Sequence, residues 1–180
     1  MMKYPKHEKT VHVMISENNV KKRIDEIAEK IENYYRSKKE DLILIGILKG
    51  AFIFIADLCR KIGIPHEIDF MVVSSYRNSM QSYKDVKIVK DLDKDVRRKN
   101  VVIVEDVVDS GNTLKKVLDV LQSRDPKSIN ICTLLNKPSK REAEISIEWI
   151  GYSIKDHFVV GYGIDYAQRY RHLPYIGYVY

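Results

Sequence analysis

The sequence predicts an α/β fold, a mainly parallel sheet flanked by helices, and three observations carry that prediction. Short continuous apolar runs rich in Val, Ile and Leu recur along the chain, as strands buried on both faces require. Between them lie segments whose apolar residues repeat at helical spacing. The two kinds alternate, which is the order that builds a parallel sheet with crossover helices. At 180 residues the chain is one domain's worth, 1–180, long enough to bury roughly 70% of its unfolded surface around a single core.

Residues 11–15 read as a short strand, and Ser16 is placed to cap a helix running to Arg36. Val20, Ile24, Ile27, Ile31 and Tyr34 form the apolar face of that helix. Residues 42–47 read as a buried strand and 51–62 as a helix, with Pro65 closing the connection to a strand over 67–73. The stretch 74–85 is polar and turn-like, a candidate lid, and an alternating strand over 86–92 follows it. Residues 101–104 are a continuous β-branched run, so a strand ends there with Glu105 and Asp106 at its carboxyl edge. Next comes a helix over 114–121 with Leu114, Val117, Leu118 and Leu121 on one side. Strands over 129–135, near 147–150 and over 158–161 complete the alternation.

Composition narrows the class of function. A net charge of +6 suits either nucleic acid or a polyanionic small substrate, and the basic residues are spread through helices and loops rather than gathered in one tract. Cys59 and Cys132 sit far apart inside apolar runs and read as small buried hydrophobes. No stretch reaches the roughly 20 apolar residues of a membrane span, and no apolar signal core opens the chain, so a soluble cytoplasmic protein is expected. There is no internal repeat, helix-turn-helix or zinc-ligand spacing, and the five histidines form no metal pattern.

The most informative string is Val102-Ile103-Val104-Glu105-Asp106-Val107-Val108-Asp109-Ser110-Gly111-Asn112-Thr113. An apolar run gives way to two carboxylates and then to a small-residue turn before a helix, at the sheet edge where α/β folds bind ligands. Unpaired N–H groups at a helix start, with the equivalent of about half a positive charge from the macrodipole, attract a phosphate. Gly111 lets the backbone come close, and Ser110 and Thr113 add hydroxyl donors. Glu105 and Asp106 would repel that phosphate at short range, so they suit sugar hydroxyls or a cation. Asp109 or Ser110 could also be an ordinary helix N-cap. The string is not a Walker A motif, because no Gly-Lys-Ser/Thr follows.

Four further segments carry candidate site residues. Leu48-Lys49-Gly50 places a lysine at the same predicted edge, as does Asn136-Lys137-Pro138. Lys49 could face a diphosphate there, and Lys137 is a cationic donor that can hydrogen-bond an exocyclic oxygen and disfavour an amino group. Ser75 and Tyr76 stand at the polar stretch proposed as a lid. The last segment runs from Asp156 to Pro174 and contains Phe158, Val159, a Gly161-Tyr162-Gly163 turn, Asp165 and Arg171. Seven of the chain's twelve tyrosines lie from Tyr152 onward, and most of them are expected simply to pack.

Taken together, the 102–113 string resembles the phosphoribosyl diphosphate (PRPP) signature of type I phosphoribosyltransferases. From Leu42 to Tyr178 the ordered matches resemble the bacterial hypoxanthine phosphoribosyltransferases. The resemblance implies the type I phosphoribosyltransferase fold with a small hood region. It implies purine salvage with PRPP and oxo-purine bases as substrates, hypoxanthine and guanine foremost, Mg²⁺ as cofactor, and a homo-oligomer, dimer or tetramer. It further implies Glu105 and Asp106 at the ribose hydroxyls, and Asp109, Ser110, Gly111, Asn112 and Thr113 around the 5-phosphate, with Asp109 as the proton-transfer residue. Leu48, Lys49, Gly50 and Arg171 would meet pyrophosphate, and in the family this leucine-lysine peptide can be cis. Lys137, Phe158, Val159 and Asp165 would surround the purine, and Glu105, Asp106 and Asp165 would serve the metal. Relatives often carry glycine where this chain has Arg77 after the lid tyrosine, which leaves lid closure open. Two alternatives stand beside this reading: a guanine- or xanthine-preferring relative, and a regulator of the same fold that binds nucleic acid through its positive charge.

Overall fold

Six strands form one sheet in the order Val86–Lys90, Glu67–Ser75, Leu42–Leu48, Asn100–Val108, Ser128–Asn136, Trp149–Ser153, and all but the first of these run parallel. The computed structural model describes residues 9–75 and 86–180. Its elements are β1 (His12–Ile15), α1 (Glu17–Tyr35), β2 (Leu42–Leu48), α2 (Phe52–Cys59), β3 (Glu67–Ser75), β4 (Val86–Lys90), β5 (Asn100–Val108), α3 (Asn112–Gln122), β6 (Ser128–Asn136), β7 (Trp149–Ser153), β8 (Phe158–Val160) and β9 (Ile176–Val179). A single 3-10 turn, Pro138–Lys140, follows β6. β1, β9 and β8 form a second, antiparallel sheet, the small hood.

Alternation along β2 explains the layering. Leu42 and Leu44 join the core under α1 and α2, whereas Ile43, Ile45 and Ile47 join the core under α3, with Leu114, Val117 and Leu121. A strand covered on both faces has no polar side to offer, hence its continuous apolar run. Ser16 caps α1 as anticipated, accepting from Asn19 N at 3.4 Å. The apolar face of α1 needs one correction. It closes on Tyr35, 3% exposed, while Tyr34 is 44% exposed. Four residues on from Ile31 keeps the stripe on the core side better than three, and the Tyr35 hydroxyl accepts from Asn130 Nδ2 at 2.7 Å.

Three of the differences from the sequence reading bear on the site and its frame. β5 does not stop at Val104 but continues to Val108, so Glu105 and Asp106 are strand residues. Parallel pairing with β6, Glu105 to Thr133 and Val108 to Asn136, extends the ladder past the apolar run. β7 begins at Trp149, two residues after the predicted start, because its ladder with β6 opens at the Cys132–Trp149 pair. β9 was not predicted, since Ile176-Gly177-Tyr178-Val179 is too short to show a pattern and is made a strand by partners in β1 and β8. Of the residues 74–85, Ser74 and Ser75 end β3, and Tyr76 with the rest of the candidate lid lies outside the described residues.

Candidate active site

The chain leaves β2 for β3 on one side and later runs from β5 to β6 on the other, so the strand order reverses between β2 and β5. Such a switch point opens a crevice at the carboxyl ends of the strands. Leu48-Lys49-Gly50 and the end of β5 meet there. The Leu48–Lys49 peptide is cis, Lys49 is exposed, and Gly50 lies against the Asp106 carboxylate. A Cβ on Gly50 would stand 2.0 Å from Asp106 Oδ2, so only glycine fits beside that carboxylate as it is placed.

Sidedness in β5 reverses at the two acids. Val102 and Val104 face the α1–α2 core and Val107 packs against that same core, whereas Val101, Ile103 and Val108 belong to the α3 core. Glu105 and Asp106 occupy the reversal. Asp106 is 9% exposed, and burial pushes its pKa up to about 6, against the pull of the Val107 and Asp106 backbone N–H groups and the Arg171 charge. Burial, and then the neighbouring Asp106, hold Glu105 well above the usual carboxylate range. Its Oε2 is buried with no hydrogen-bond partner among the described residues. Such an atom has room for a donor or a cation.

The turn at 109–113 has the features of an anion cradle. Gly111 takes the N-cap position of α3 with φ of 82°, a left-handed conformation that glycine adopts freely, and no side chain caps the helix. Neither Asp109 nor Ser110 is the N-cap, although Ser110 Oγ accepts from Asn112 N at 3.4 Å, and an anion at the start of α3 would meet the remaining first-turn N–H groups. Beside it is a cavity of about 180 Å³ lined by Glu105, Val107, Val108, Asp109, Ser110, Gly111, Thr113 and Leu114. Asn112 is the exception in the expected set: its side chain turns outward and donates to Glu142 Oε2 at 2.8 Å.

A second cavity of about 380 Å³ adjoins the first and shares Asp109 and Ser110 with it. Lys137, Lys140, Glu142, Asp156, His157 and Phe158 complete its lining. Lys137 is buried, its ammonium 3.0 Å from Asp109 Oδ1 and 3.8 Å from Asp156 Oδ1. Asp156 also meets Lys140 at 2.8 Å, and that contact is the main reason its pKa lies below the usual carboxylate range. Phe158 stands 52% exposed at the rim, its ring edge-on to Tyr166 at 5.3 Å. Val159 is buried in β8, opposite Tyr178. Because β8 is an edge strand of the hood, its outer backbone has no strand partner among the described residues.

The third part is the loop at 161–171. Six of its residues have positive φ: Gly161, Tyr162, Gly163, Ala167, Gln168 and Tyr170. This tight winding folds Arg171 back onto Asp165 at 2.7 Å and onto the Gly163 carbonyl at 2.8 Å. The other Asp165 oxygen accepts from Gln168 N at 2.7 Å. Gly163 touches the Gly50 carbonyl, where an added Cβ would approach to 2.4 Å. The lysine loop, Asp106 and the arginine loop therefore converge. Among the described residues no three His, Cys, Asp or Glu side chains could hold an ion alone. Glu105, Asp106 and Asp165 carry carboxylate oxygens, the donor type that a hard cation such as Mg²⁺ takes, and the Glu105 Oε2 among them has no partner among the described residues.

Sequence reasoning missed Asp156, Lys140 and Arg141. Asp156 was legible as a charge two residues before an aromatic strand, but its partner Lys137 lies 19 residues earlier in sequence, on another strand end.

Residues 16–167 match the phosphoribosyl transferase domain family. The chain belongs to the phosphoribosyltransferase family. Within it, the chain is 57% identical over 168 residues to a Salmonella typhimurium protein named hypoxanthine phosphoribosyltransferase, covering 93% of this chain and 94% of that one. A Mycobacterium avium hypoxanthine-guanine phosphoribosyltransferase is 47% identical over 92% of this chain and 83% of its own. The crystal structure of a Bacillus anthracis hypoxanthine-guanine phosphoribosyltransferase, with HEPES in its active site, superposes with a TM-score of 0.90. It is 41% identical and is matched over 96% of this chain and all of that one. The chain thus stands among the hypoxanthine phosphoribosyltransferases.

Proposed function

We infer that the chain performs purine salvage, moving the 5-phosphoribosyl group of PRPP to hypoxanthine, and to guanine, with release of pyrophosphate. The observation that carries this reading is the buried Lys137 ammonium, paired with Asp109 where a phosphate-sized cavity meets a base-sized one.

In this reading the 5-phosphate rests on the N-terminus of α3, with Ser110 and Thr113 as hydroxyl donors. Glu105 and Asp106 accept from the ribose hydroxyls and so fix the sugar's anomeric carbon against the base, the positioning part of catalysis. Lys137 donates to the purine's oxygen at C6, and an amine there would place donor against donor, which disfavours adenine. Phe158 stacks on the heterocycle, and the free backbone edge of β8 at Val159 pairs with the base. Asp109 takes the proton at N7 as N9 forms the bond to the ribose. Lys49, the backbone of Leu48 and Gly50, and Arg171 receive the departing pyrophosphate. Glu105, Asp106 and Asp165 are the residues that would hold magnesium, which when bound supplies positive charge to the leaving pyrophosphate. Ser75 and Tyr76 would close over the centre and exclude water from it.

The apolar face of α2 and β3 fits an assembly of copies, a dimer or tetramer. Phe52 is 42% and Ile68 38% exposed there, beside a cavity lined by Ile55, Ala56, Cys59, Arg60, Ile68 and Phe70. No helix among the described residues is long and apolar enough to cross a membrane, and we assign the enzyme to the cytoplasm.

Nucleotide formation from PRPP and Mg²⁺, with hypoxanthine, guanine, xanthine and adenine offered separately, tests the reading. Turnover with hypoxanthine and none with adenine is the expected result. Equal turnover with adenine removes Lys137 from the base site, and no turnover with any base refutes the salvage function.

A further inference from the structure

Arg141 follows the 3-10 turn and packs behind the phosphate turn. Its guanidinium is withdrawn from water, with Nε and Nη1 buried and without a hydrogen-bond partner among the described residues. Only Nη2 is engaged, donating to Asn136 Oδ1 beside Lys137. A Cβ built on Gly111 would lie 3.1 Å from Arg141 Nη1 and 3.2 Å from its Cδ, so the guanidinium stands directly behind that glycine. The two residues that follow tie the segment down. Glu142 N and Ala143 N both donate to the Ser110 carbonyl, at 2.9 and 3.0 Å, and Glu142 accepts from Asn112.

Arg141 as a residue is half-buried, but its Nε and Nη1 stand where water does not reach them, and donors placed so without partners lose hydration that nothing returns. Burial accordingly pulls its pKa below the ordinary guanidinium range, and the charge on Asp109 pulls the other way. Asp109 is already engaged by Lys137 at 3.0 Å. A methionine would fill much of the same space without the desolvation cost. What a methionine lacks is a positive charge aimed at the back of the turn.

We propose that Arg141 is a positioning residue for the 5-phosphate, acting across the Gly111 backbone without touching the ligand. The proposal rests on the PRPP reading. Its charge adds to the field of the α3 N-terminus, and its bulk sets the distance between the turn and the strand end that carries Lys137. With its Nε and Nη1 out of reach of water, that field is screened less than it would be in bulk solvent. The effect is therefore greatest on ligands that carry the 5-phosphate.

The test compares Arg141→Met and Arg141→Lys with the unaltered protein in calorimetric binding of inosine 5-monophosphate, inosine and Mg²⁺-pyrophosphate. Arg141→Met should weaken the nucleotide by about tenfold or more, the effect of a unit charge removed at short range in an intermediate dielectric, and leave the other two unchanged. KM for PRPP should rise in step while KM for hypoxanthine holds. Arg141→Lys should recover most of the nucleotide affinity. An equal loss for inosine, or no recovery with lysine, overturns the proposal. Should Arg141→Met not fold, Arg141→Gln keeps an amide donor for Asn136 and carries the same expectation. Absence of nucleotide binding in the unaltered protein would instead strike the PRPP reading itself.

Discussion

Gly50→Ala tests the convergence of loops at the switch point with a single methyl group. Gly50 does not need a left-handed backbone, so alanine brings no conformational penalty of its own. What it brings is a Cβ 2.0 Å from Asp106 Oδ2, 2.5 Å from its Cγ and 2.8 Å from its Oδ1. An ordinary contact needs more than about 3.4 Å, so the carboxylate must retreat by more than about 1 Å. Asp106 is 9% exposed and has little room in which to do so. Overpacking of this kind costs about 1 to 3 kcal/mol of stability. A ~1 Å displacement of a substrate-positioning group costs about 10²-fold in rate. We expect kcat/KM for PRPP to fall by about 10- to 100-fold, measured at saturating hypoxanthine, with stability read from urea midpoints. In an Asp106→Ala background the methyl has space, so the stability cost should nearly vanish. A Gly50→Ala protein with unchanged kcat/KM, or one equally destabilised with and without the Asp106 carboxylate, would refute the reasoning.

Three other outcomes follow from the same geometry. Lys137→Met removes a buried charge whose partners, Asp109 and Asp156, are 56% and 47% exposed and rehydrate freely, so stability should change little. Oxo-purine affinity should drop by about 1 to 3 kcal/mol, and unfolding midpoints with base titrations check both halves. Asp109→Asn should lower kcat by about 10² to 10⁴ at nearly constant PRPP affinity, and unchanged turnover would take Asp109 out of proton transfer. Glu67 lies 2.8 Å from Lys94 and 2.6 Å from Lys99, and these contacts, Lys94 first, hold its pKa below the ordinary 4.5. A carboxylate depressed in the folded state stabilises the protein above its unfolded pKa and loses that contribution as pH falls through the folded value. Glu67→Gln should therefore cost no more than about 1 kcal/mol near pH 7, the pair being partly exposed. The gap between variant and parent should close on acidification below pH 4.5; a gap constant with pH would rule out the ion pairs as its source.

Much of the scaffold was legible because its signals are local. The buried runs of β2, β5 and β6, the Ser16 cap and the glycine turn before α3 each depend on a few adjacent residues. The extension of β5 through Glu105 and Asp106 was not, because two acids in a row look like a strand's end until a neighbouring strand supplies their ladder. For the site, the sequence named Lys137 and Asp109 separately, and their 3.0 Å pairing came from the fold.

By itself, then, the sequence determined which residue types stand at each strand end, since burial pattern and turn chemistry act over a handful of positions. Only the tertiary structure decided which of those ends share one crevice. It set Asp106 against Gly50, Arg171 against Asp165, and Arg141 behind Gly111. Such distances depend on strand order and on how tightly each loop winds, and these are settled by packing between segments tens of residues apart. Charge and hydrogen-bonding capacity are properties of single residues; desolvation and partnership, which shift the carboxylates and leave two of the three Arg141 guanidinium nitrogens without a partner among the described residues, arise only when distant segments exclude water together.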